Sequence, residues 1–152
     1  LKNMKIILET EGQTQKLAKE FSNIMVLPLI IGFKGDLGVG KTVFIRNLIK
    51  CFKEDEAVKS PTFSLVEEYE YENAKIAHID LYRITNDEEY YLDYQDYQAN
   101  NSLILIEWIQ NDLKLMSNSD IIIEINIPKE KNNREISFEG QSNIGKKILK
   151  NL

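Results

Sequence analysis

Two short apolar runs suggest the centre of a sheet. Residues 29–33 and 103–106 carry almost only aliphatic and aromatic side chains, without the alternation of a strand that has one face in water. Runs of this length are typical of strands buried on both faces. Further strands are predicted for residues 4–9, for about ten residues from Thr62, and for residues 75–82, 121–127 and 134–138. The strand from Thr62 and the strand at 75–82 are predicted to form an antiparallel hairpin.

Helices are predicted where apolar residues return every three or four positions. Apolar side chains at 44, 45, 48, 49 and 52 share one face of a helix over 41–53, and those at 17, 18, 21 and 25 share one face of an earlier helix. Thr10 and Thr14 are both candidate N-caps of that earlier helix. Residues 87–98, rich in acids and tyrosines, are interpreted as a solvated helix or a partner-docking surface. Residues 142–152 predict a basic C-terminal helix with an apolar stripe of Ile144, Ile148 and Leu152, spaced by four.

The composition is that of an ordinary globular protein. Of 152 residues, 43% are hydrophobic and 28% charged, so we predict one domain over residues 1–152. The formal net charge of −5 does not favour broad attraction to nucleic acid, so a partner is expected to hold any RNA. The single cysteine excludes an internal disulfide, and no apolar run approaches the ~20 residues of a membrane span. We therefore expect a cytoplasmic protein.

The segment between the first buried strand and the helix after it carries a candidate binding site. Residues 35–42, Gly-Asp-Leu-Gly-Val-Gly-Lys-Thr, match the phosphate-binding motif G-x-x-x-x-G-K-[ST] in its usual strand–loop–helix context. Glycines allow positive φ and bring bare backbone N–H groups close to phosphate oxygens. Lys41 could reach the β- and γ-phosphates and the Thr42 hydroxyl could bind Mg²⁺, while the helix N-terminus adds a positive end. The sequence therefore predicts a nucleotide site.

Two acids end apolar runs and are candidates to complete that site. Asp80 follows residues 76–79, and Glu107 follows residues 103–106. Hydrolysis of a triphosphate needs carboxylates on the metal ion or on the attacking water. Each acid could instead cap its strand or pair with an arginine. The absence of the guanine-reading N-K-x-D signature favours ATP.

Three further residues keep two interpretations each. His78 is either a core histidine or a functional residue, and Trp108 either stacks near the nucleotide or only packs. Thr62, in a loop anchored by a proline, either senses the γ-phosphate or serves as a turn residue.

Four motifs together resemble one family. They are the loop at 35–42, Lys-Ser-Pro-Thr-Phe-Ser-Leu-Val-Glu-Glu-Tyr at 59–69, His-Ile-Asp-Leu-Tyr-Arg at 78–83 and Leu-Ile-Glu-Trp at 105–108. Their order and spacing, over residues 10–138, resemble the TsaE (YjeE) family of bacterial ATPases in tRNA threonylcarbamoyladenosine biosynthesis. The resemblance implies a P-loop NTPase-like α/β fold with a central, mostly parallel sheet, flanking antiparallel strands and helices on both faces.

The resemblance also implies an activity. It implies weak, partner-stimulated hydrolysis of ATP with Mg²⁺, beside the partners TsaD and TsaB. That complex attaches threonylcarbamoyl to the adenosine next to the anticodon, so tRNA is reached indirectly, and the family member is understood to drive turnover rather than to transfer the group.

The resemblance further implies residue roles. The triphosphate-binding residues are Gly35, Asp36, Leu37, Gly38, Val39, Gly40, Lys41 and Thr42, and the Mg²⁺ ligands are Thr42 and Glu107. Asp80 matches an acid important for activity, and Thr62 matches the threonine of a switch-like loop. Trp108 lies beside the metal site in this resemblance, and Thr14 aligns with a threonine near the adenine. Two departures are Val43, where a second threonine is common, and residues 109–111, where Pro or Gly followed by Glu-Arg is common.

Two other functions remain open at this point. In a small P-loop kinase, Asp80 would act as the base for an acceptor hydroxyl. An arginine-rich lid would then be expected, and the chain has only Arg46, Arg83 and Arg134. In a non-catalytic scaffold, bound ATP would only order a docking surface.

Overall fold

The computed structural model describes residues 3–36, 38–55, 57–58, 65–84, 93–129 and 132–152. Strands in these residues are β1 (Asn3–Leu8), β2 (Leu29–Lys34), β3 (Val66–Glu70), β4 (Lys75–Asp80), β5 (Ser102–Glu107), β6 (Ile121–Asn126) and β7 (Arg134–Gly140). The α-helices are α1 (Glu11–Ile24), α2 (Lys41–Lys50), α3 (Leu113–Ser117) and α4 (Asn143–Leu149). Two single 3₁₀ turns cover Tyr94–Tyr97 and Ile109–Asn111.

All seven strands join one sheet in the order β1-β7-β6-β2-β5-β4-β3. The four central strands β6, β2, β5 and β4 are parallel, and β7, β1 and β3 extend the sheet by antiparallel pairing. The two predicted central strands, β2 and β5, are direct neighbours, and every residue of β5 is buried. The predicted hairpin is the β3–β4 pair. The predicted mostly parallel sheet with antiparallel flanks is confirmed.

Helical segments cover both faces of the sheet. One face packs against the two long helices and α4 through a core that includes Phe21, Phe44 and Ile148. The other face packs against Ile109 and Leu115, which come from the short segments after β5. Thr10 caps α1 by accepting a hydrogen bond from the backbone N–H of Gln13. The two faces of the sheet therefore have separate apolar cores.

Several predicted boundaries were wrong. Helix α2 ends at Lys50 rather than at residue 53. Thr14, the second candidate N-cap, lies one turn inside α1 and is buried. In α4 the predicted apolar stripe is incomplete, because Ile144 is exposed and the buried face consists of Gly145, Ile148 and Leu149. Only glycine fits at position 145, because the backbone of Asp120 approaches it too closely for any side chain.

The predicted helix at residues 87–98 is only partly described. Residues 93–98 hold one 3₁₀ turn, Tyr94–Tyr97, instead of an α-helix, and residues 87–92 lie outside the described residues. Asp93 favours this turn because its carboxylate accepts a hydrogen bond from the Gln95 N–H at 2.9 Å. The strand predicted from Thr62 is described from Val66, since residues 59–64 also lie outside. No helix in the described ranges is long and apolar enough to cross a membrane.

Candidate functional site

The glycine loop joins the end of β2 to the start of α2. Gly35, Gly38 and Gly40 have φ of 136°, 77° and 112°, values that side chains rarely adopt. A Cβ on Gly35 would also collide with the carbonyl oxygen of Ile125 on β6. The predicted need for glycine at these positions is thus met in the structure. Leu37, a predicted loop contact, lies outside the described residues.

Lys41 starts α2 and turns its side chain back across the loop. Its Nζ donates hydrogen bonds to the carbonyl oxygens of Gly35 and, at 3.1 Å, of Asp36. The same Nζ lies 4.1 Å from the centre of the Trp108 ring, a cation–π distance. Burial lowers the pKa of the Lys41 ammonium, and nearby carboxylates, Glu107 above all, oppose that shift. The ammonium is therefore held at the centre of the loop by carbonyls, an aromatic face and acids.

The two acids predicted from strand ends come together beside the loop. Asp80 and Glu107 are partners in the register of the parallel strands β4 and β5, so both stand at the carboxyl edge of the sheet. Glu107 is only 3% exposed, and its Oε1 accepts a hydrogen bond from the Thr42 hydroxyl at 3.0 Å. Open α/β sheets bind ligands at this edge. The structure thus groups Lys41, Thr42, Asp80 and Glu107 at one place.

Asp80 has a different environment from Glu107. Its Oδ1 accepts a hydrogen bond from the backbone N–H of Tyr82 at 2.9 Å. Burial raises the pKa of the Asp80 carboxyl, the Tyr82 N–H opposes this, and the charge of Glu107 adds to it. Neither predicted arginine pairing is found within the described residues, because Asp80 bonds to backbone and Glu107 to Thr42 and His78.

His78 is the residue whose role the sequence left open. It is completely buried, and its Nε2 lies 2.7 Å from Oε2 of Glu107. Residues 76, 78 and 80 of β4 share one sheet face, as do residues 103, 105 and 107 of β5, so His78 is a same-face neighbour of both acids. Because His78 and Asp80 are two residues apart in a predicted strand, the sequence alone could have predicted that they lie on the same face of the sheet.

The segment after β5 carries an unusual backbone. Trp108 has φ of 58°, the single non-glycine residue among those described with positive φ. Its ring also contacts the half-exposed ring of Tyr82, with 5.0 Å between ring centres. The next residues, which depart from the family pattern, have structural contacts: Ile109 is buried, and the Asn111 side-chain amide donates to the carbonyl of Leu81 at 2.8 Å. This anchoring holds Trp108 over Lys41.

A recess lies where the end of the glycine loop and the start of α2 meet α1. Its lining includes Thr14 of α1, Gly40, Val43 and Arg134. Val43 replaces the threonine expected from the resemblance, and an apolar side chain suits this wall. The Nε of Arg134 donates to the carbonyl of Val39 at 2.7 Å, which ties β7 to the loop. The contact of Arg134 with the loop was not predicted, because Arg134 is 95 residues from Val39 in the sequence.

The chemistry of these groups suits phosphate and a hard cation. Backbone N–H groups, an ammonium and a helix N-terminus could hold phosphate oxygens. The Thr42 hydroxyl and the Glu107 carboxylate could hold a cation that prefers oxygen ligands. Among the described residues, no group of three or more His, Cys, Asp or Glu side chains is placed to hold a metal ion alone. Thr62, the predicted sensor, lies outside those residues.

Comparisons with known proteins bear on the fold and on the family. The sheet, the glycine loop and the helix after it define a P-loop-like fold. The crystal structure of YdiB from Bacillus subtilis superposes with a TM-score of 0.78 at 21% identity, covering 98% of this chain and 93% of YdiB. At that identity the similarity concerns the fold alone. The family model described as threonylcarbamoyl adenosine biosynthesis protein TsaE matches residues 8–136, and the chain belongs to this TsaE family.

Individual relatives support the assignment. A tRNA threonylcarbamoyladenosine biosynthesis protein TsaE from Aquifex aeolicus is 39% identical over 133 residues, covering 86% of this chain and 92% of the relative. The protein of the same name from Haemophilus influenzae is 33% identical over 140 residues, covering 88% and 87%. The family recognised from the four sequence motifs is therefore confirmed.

Exchanging single loop glycines tests the loop geometry. Gly35→Ala is expected to lower the free energy of unfolding by about 3 kcal/mol or more, because the new methyl group meets the Ile125 carbonyl at a φ that alanine avoids. Gly38→Ala is the matched control, since its Cβ has open space and only the backbone cost of roughly 1–2 kcal/mol applies. Urea unfolding would measure both. Equal losses for the two variants would contradict the described contact.

Replacing Asp80 with asparagine tests the cost of burying this carboxylate. Because the folded-state pKa is raised above 3.8, the carboxyl group favours folding below that pH and loses this contribution as pH rises through its folded pKa. Asparagine retains the bond from Tyr82 without the charge. We expect Asp80→Asn to raise Tm at pH 7 in EDTA, and the difference to shrink as the pH falls through the folded-state pKa of Asp80. An unchanged or lower Tm at pH 7 would refute the burial penalty.

Proposed function

We propose that this protein binds ATP with Mg²⁺ in the glycine loop and hydrolyses it as an accessory subunit of the complex that installs threonylcarbamoyl on tRNA. The main support for this proposal is the contact between Thr42 and Glu107. The Thr42 hydroxyl and the buried Glu107 carboxylate meet at 3.0 Å beside Lys41, at the carboxyl edge of the sheet. A phosphate loop alone binds nucleotide, whereas a carboxylate held against its threonine is the arrangement that hydrolysis needs. Membership of the TsaE family supports the pathway.

The loop would bind the triphosphate through its backbone. The backbone N–H groups of the loop at 35–42 would surround the phosphates. Lys41 would exchange its bonds to the Gly35 and Asp36 carbonyls for bonds to phosphate oxygens. Its cation–π contact with Trp108 would keep the ammonium near the phosphates during that exchange.

Thr42 and Glu107 fit the ligand chemistry of Mg²⁺. Both offer hard oxygen atoms, and Mg²⁺ sites in proteins commonly use one or two protein ligands together with phosphate oxygens and water. The ion would neutralise negative charge that develops on the phosphates. Two protein ligands are enough for such a site.

Asp80 would accept a proton from the attacking water. Its carboxylate is partly buried, lies one strand from Glu107 and has a raised pKa, which strengthens it as a proton acceptor. Thr62, predicted to sense the γ-phosphate, keeps that role as part of the proposal. The catalytic set is therefore Lys41, Thr62, Asp80 and Glu107.

The nucleoside would occupy the recess beside Thr14. This recess adjoins Gly40 and Val43, so a base there could remain attached to phosphates in the loop. Its apolar wall of Val43 and Phe44 suits a flat purine, and polar groups at its rim, Thr10 among them, could bond the base edge.

Partners would supply what the isolated chain lacks. We propose that TsaD and TsaB bind this protein, that tRNA is held by them, and that the work is done in the cytoplasm, where ATP and tRNA occur together. The formal net charge of −5 agrees with tRNA contact through partners. Hydrolysis by the chain alone would be weak because a partner completes the positioning of water.

The test is tRNA modification by reconstituted TsaD and TsaB supplied with a preformed, activated threonylcarbamoyl donor, with this chain present or absent. We expect many rounds of modification only with this chain and ATP, and far fewer with a non-hydrolysable ATP analogue. If the analogue supported equally many rounds, the protein would be an ATP-gated scaffold. If the chain made no difference, the proposed accessory role would be wrong.

A further inference from the structure

Three polar side chains form a continuous chain of hydrogen bonds beneath the loop. The Thr42 hydroxyl bonds to Oε1 of Glu107 at 3.0 Å, and Oε2 of the same carboxylate bonds to His78 Nε2 at 2.7 Å. The three residues come from α2, β5 and β4, so the contacts exist only in the folded sheet. Both oxygens of a carboxylate that is 3% exposed are thereby engaged.

The surroundings of His78 indicate which ring nitrogen carries the proton. Nε2 faces a carboxylate, which can only accept a hydrogen bond when ionised. Nδ1 is buried and has no hydrogen-bond partner within the described residues. With the proton on Nε2, the ring donates to Glu107 and only an unpaired acceptor remains at Nδ1. With the proton on Nδ1, a buried N–H donor would have no partner, and no donor would face Glu107. The hydrogen bonds therefore assign the Nε2–H tautomer.

We propose that His78 is a positioning residue for Glu107. Its Nε2–H fixes one carboxylate oxygen, so the other oxygen is kept facing Thr42. A side chain as flexible as glutamate otherwise loses conformational freedom each time it binds an ion, and hydrogen bonds behind a ligand reduce that cost. The inference rests on the proposed role of Thr42 and Glu107 as Mg²⁺ ligands.

A simple packing role for His78 is the competing explanation. The ring lies between Ile76 and Asp80 on its strand and beside Leu105 on β5. An aliphatic side chain could fill such a place without leaving a buried polar atom such as Nδ1 unpaired, which is destabilising. A histidine retained there, bonded to the acid beside the loop, favours the positioning role.

The first experiment observes the tautomer directly. His78 is the single histidine of the chain, so ¹⁵N-histidine labelling of untagged protein gives one ring spectrum. We expect an Nε2–H signal with an unprotonated Nδ1, and a large change of that signal in Glu107→Gln. A ring protonated at Nδ1 alone would overturn the Nε2–H assignment. A ring spectrum that is the same in Glu107→Gln as in the wild type would also overturn it.

The second experiment separates positioning from packing. Glutamine can extend its amide N–H₂ to about the place of Nε2, whereas the shorter asparagine reaches only the place of Nδ1. The measured quantity is the ratio of the ADP dissociation constant in EDTA to that in Mg²⁺, for wild type, His78→Gln and His78→Asn. We expect the ratio to fall about 10-fold or more in His78→Asn, the usual effect of losing a group behind a metal ligand, and to stay within about 3-fold in His78→Gln.

The outcomes distinguish this inference from the proposed function. If the wild-type protein binds ADP with the same dissociation constant in EDTA and in Mg²⁺, the proposed metal site is wrong. The inference about His78 then fails with it, before any variant is made. A wild type that depends on Mg²⁺, with equal ratios in the glutamine and asparagine variants, would overturn only the role of His78. Loss of ADP binding in EDTA, or unfolding, in both variants would show a packing role and also overturn the inference.

Discussion

Glu107→Gln is expected to reduce ATP hydrolysis more than about 100-fold while nucleotide binding in EDTA is retained. The carboxylate is buried and accepts hydrogen bonds on both oxygens, from Thr42 and from His78. Glutamine has nearly the same shape, but its N–H₂ end must face one of these two donors, and it lacks the charge that a cation needs. Loss of several kcal/mol of transition-state stabilisation corresponds to that factor. Steady-state phosphate release measures it.

Glu124→Gln is the matched control for this change. Glu124 lies on β6, which β2 separates from β5. Its carboxylate forms a partly exposed ion pair with Lys34, 3.7 Å apart, and accepts a hydrogen bond from the Asn126 side-chain amide at 3.0 Å. Exposed pairs of this kind contribute roughly 0–1 kcal/mol, so hydrolysis is expected to stay unchanged. Full activity in Glu107→Gln would show that this acid has no part in hydrolysis.

Lys41→Ala is expected to weaken ATP binding by roughly 10- to 100-fold and to abolish measurable hydrolysis. Charged hydrogen bonds contribute about 1.5–3 kcal/mol each, and the alanine variant loses those that Lys41 would form with phosphate oxygens. The variant also leaves the Gly35 and Asp36 carbonyls without their ammonium partner, so the loop itself is less well held. Calorimetric titration with ATP measures the change in affinity.

Lys50→Ala provides the control for charge. Lys50 is exposed at the opposite end of α2, and its removal changes net charge by the same amount. It is expected to bind ATP as the wild type does. If both lysine variants bound ATP with wild-type affinity, the glycine loop would not be the nucleotide site.

The central strands could be predicted because local sequence decides them. β5 is apolar at four consecutive positions, 103–106, which is typical of a strand buried on both faces. The glycines of the loop allow the positive φ that this backbone adopts. The four motifs identified the family correctly. The apolar stripe predicted for α4 failed because the buried face depends on a tertiary contact: the backbone of Asp120 leaves room only for glycine at position 145.

The site was only partly predictable for the same reason. Asp80 and Glu107 could be found because each ends an apolar run, and strand ends of a parallel sheet meet at one edge. The bond between His78 and Glu107 depends on β4 pairing with β5, and the bond from Arg134 to the loop spans 95 residues. No local pattern encodes such pairs. The role of Thr62 and the extent of one domain over residues 1–152 stay predictions.

ATP hydrolysis, by this chain alone and then with TsaB, TsaD and tRNA, tests the central claim most directly. The proposal predicts slow hydrolysis by the chain, faster hydrolysis with the partners, and loss of the stimulated rate in both Lys41→Ala and Glu107→Ala. Tight ATP binding without turnover under any of these conditions would contradict the claim and leave a nucleotide-gated scaffold.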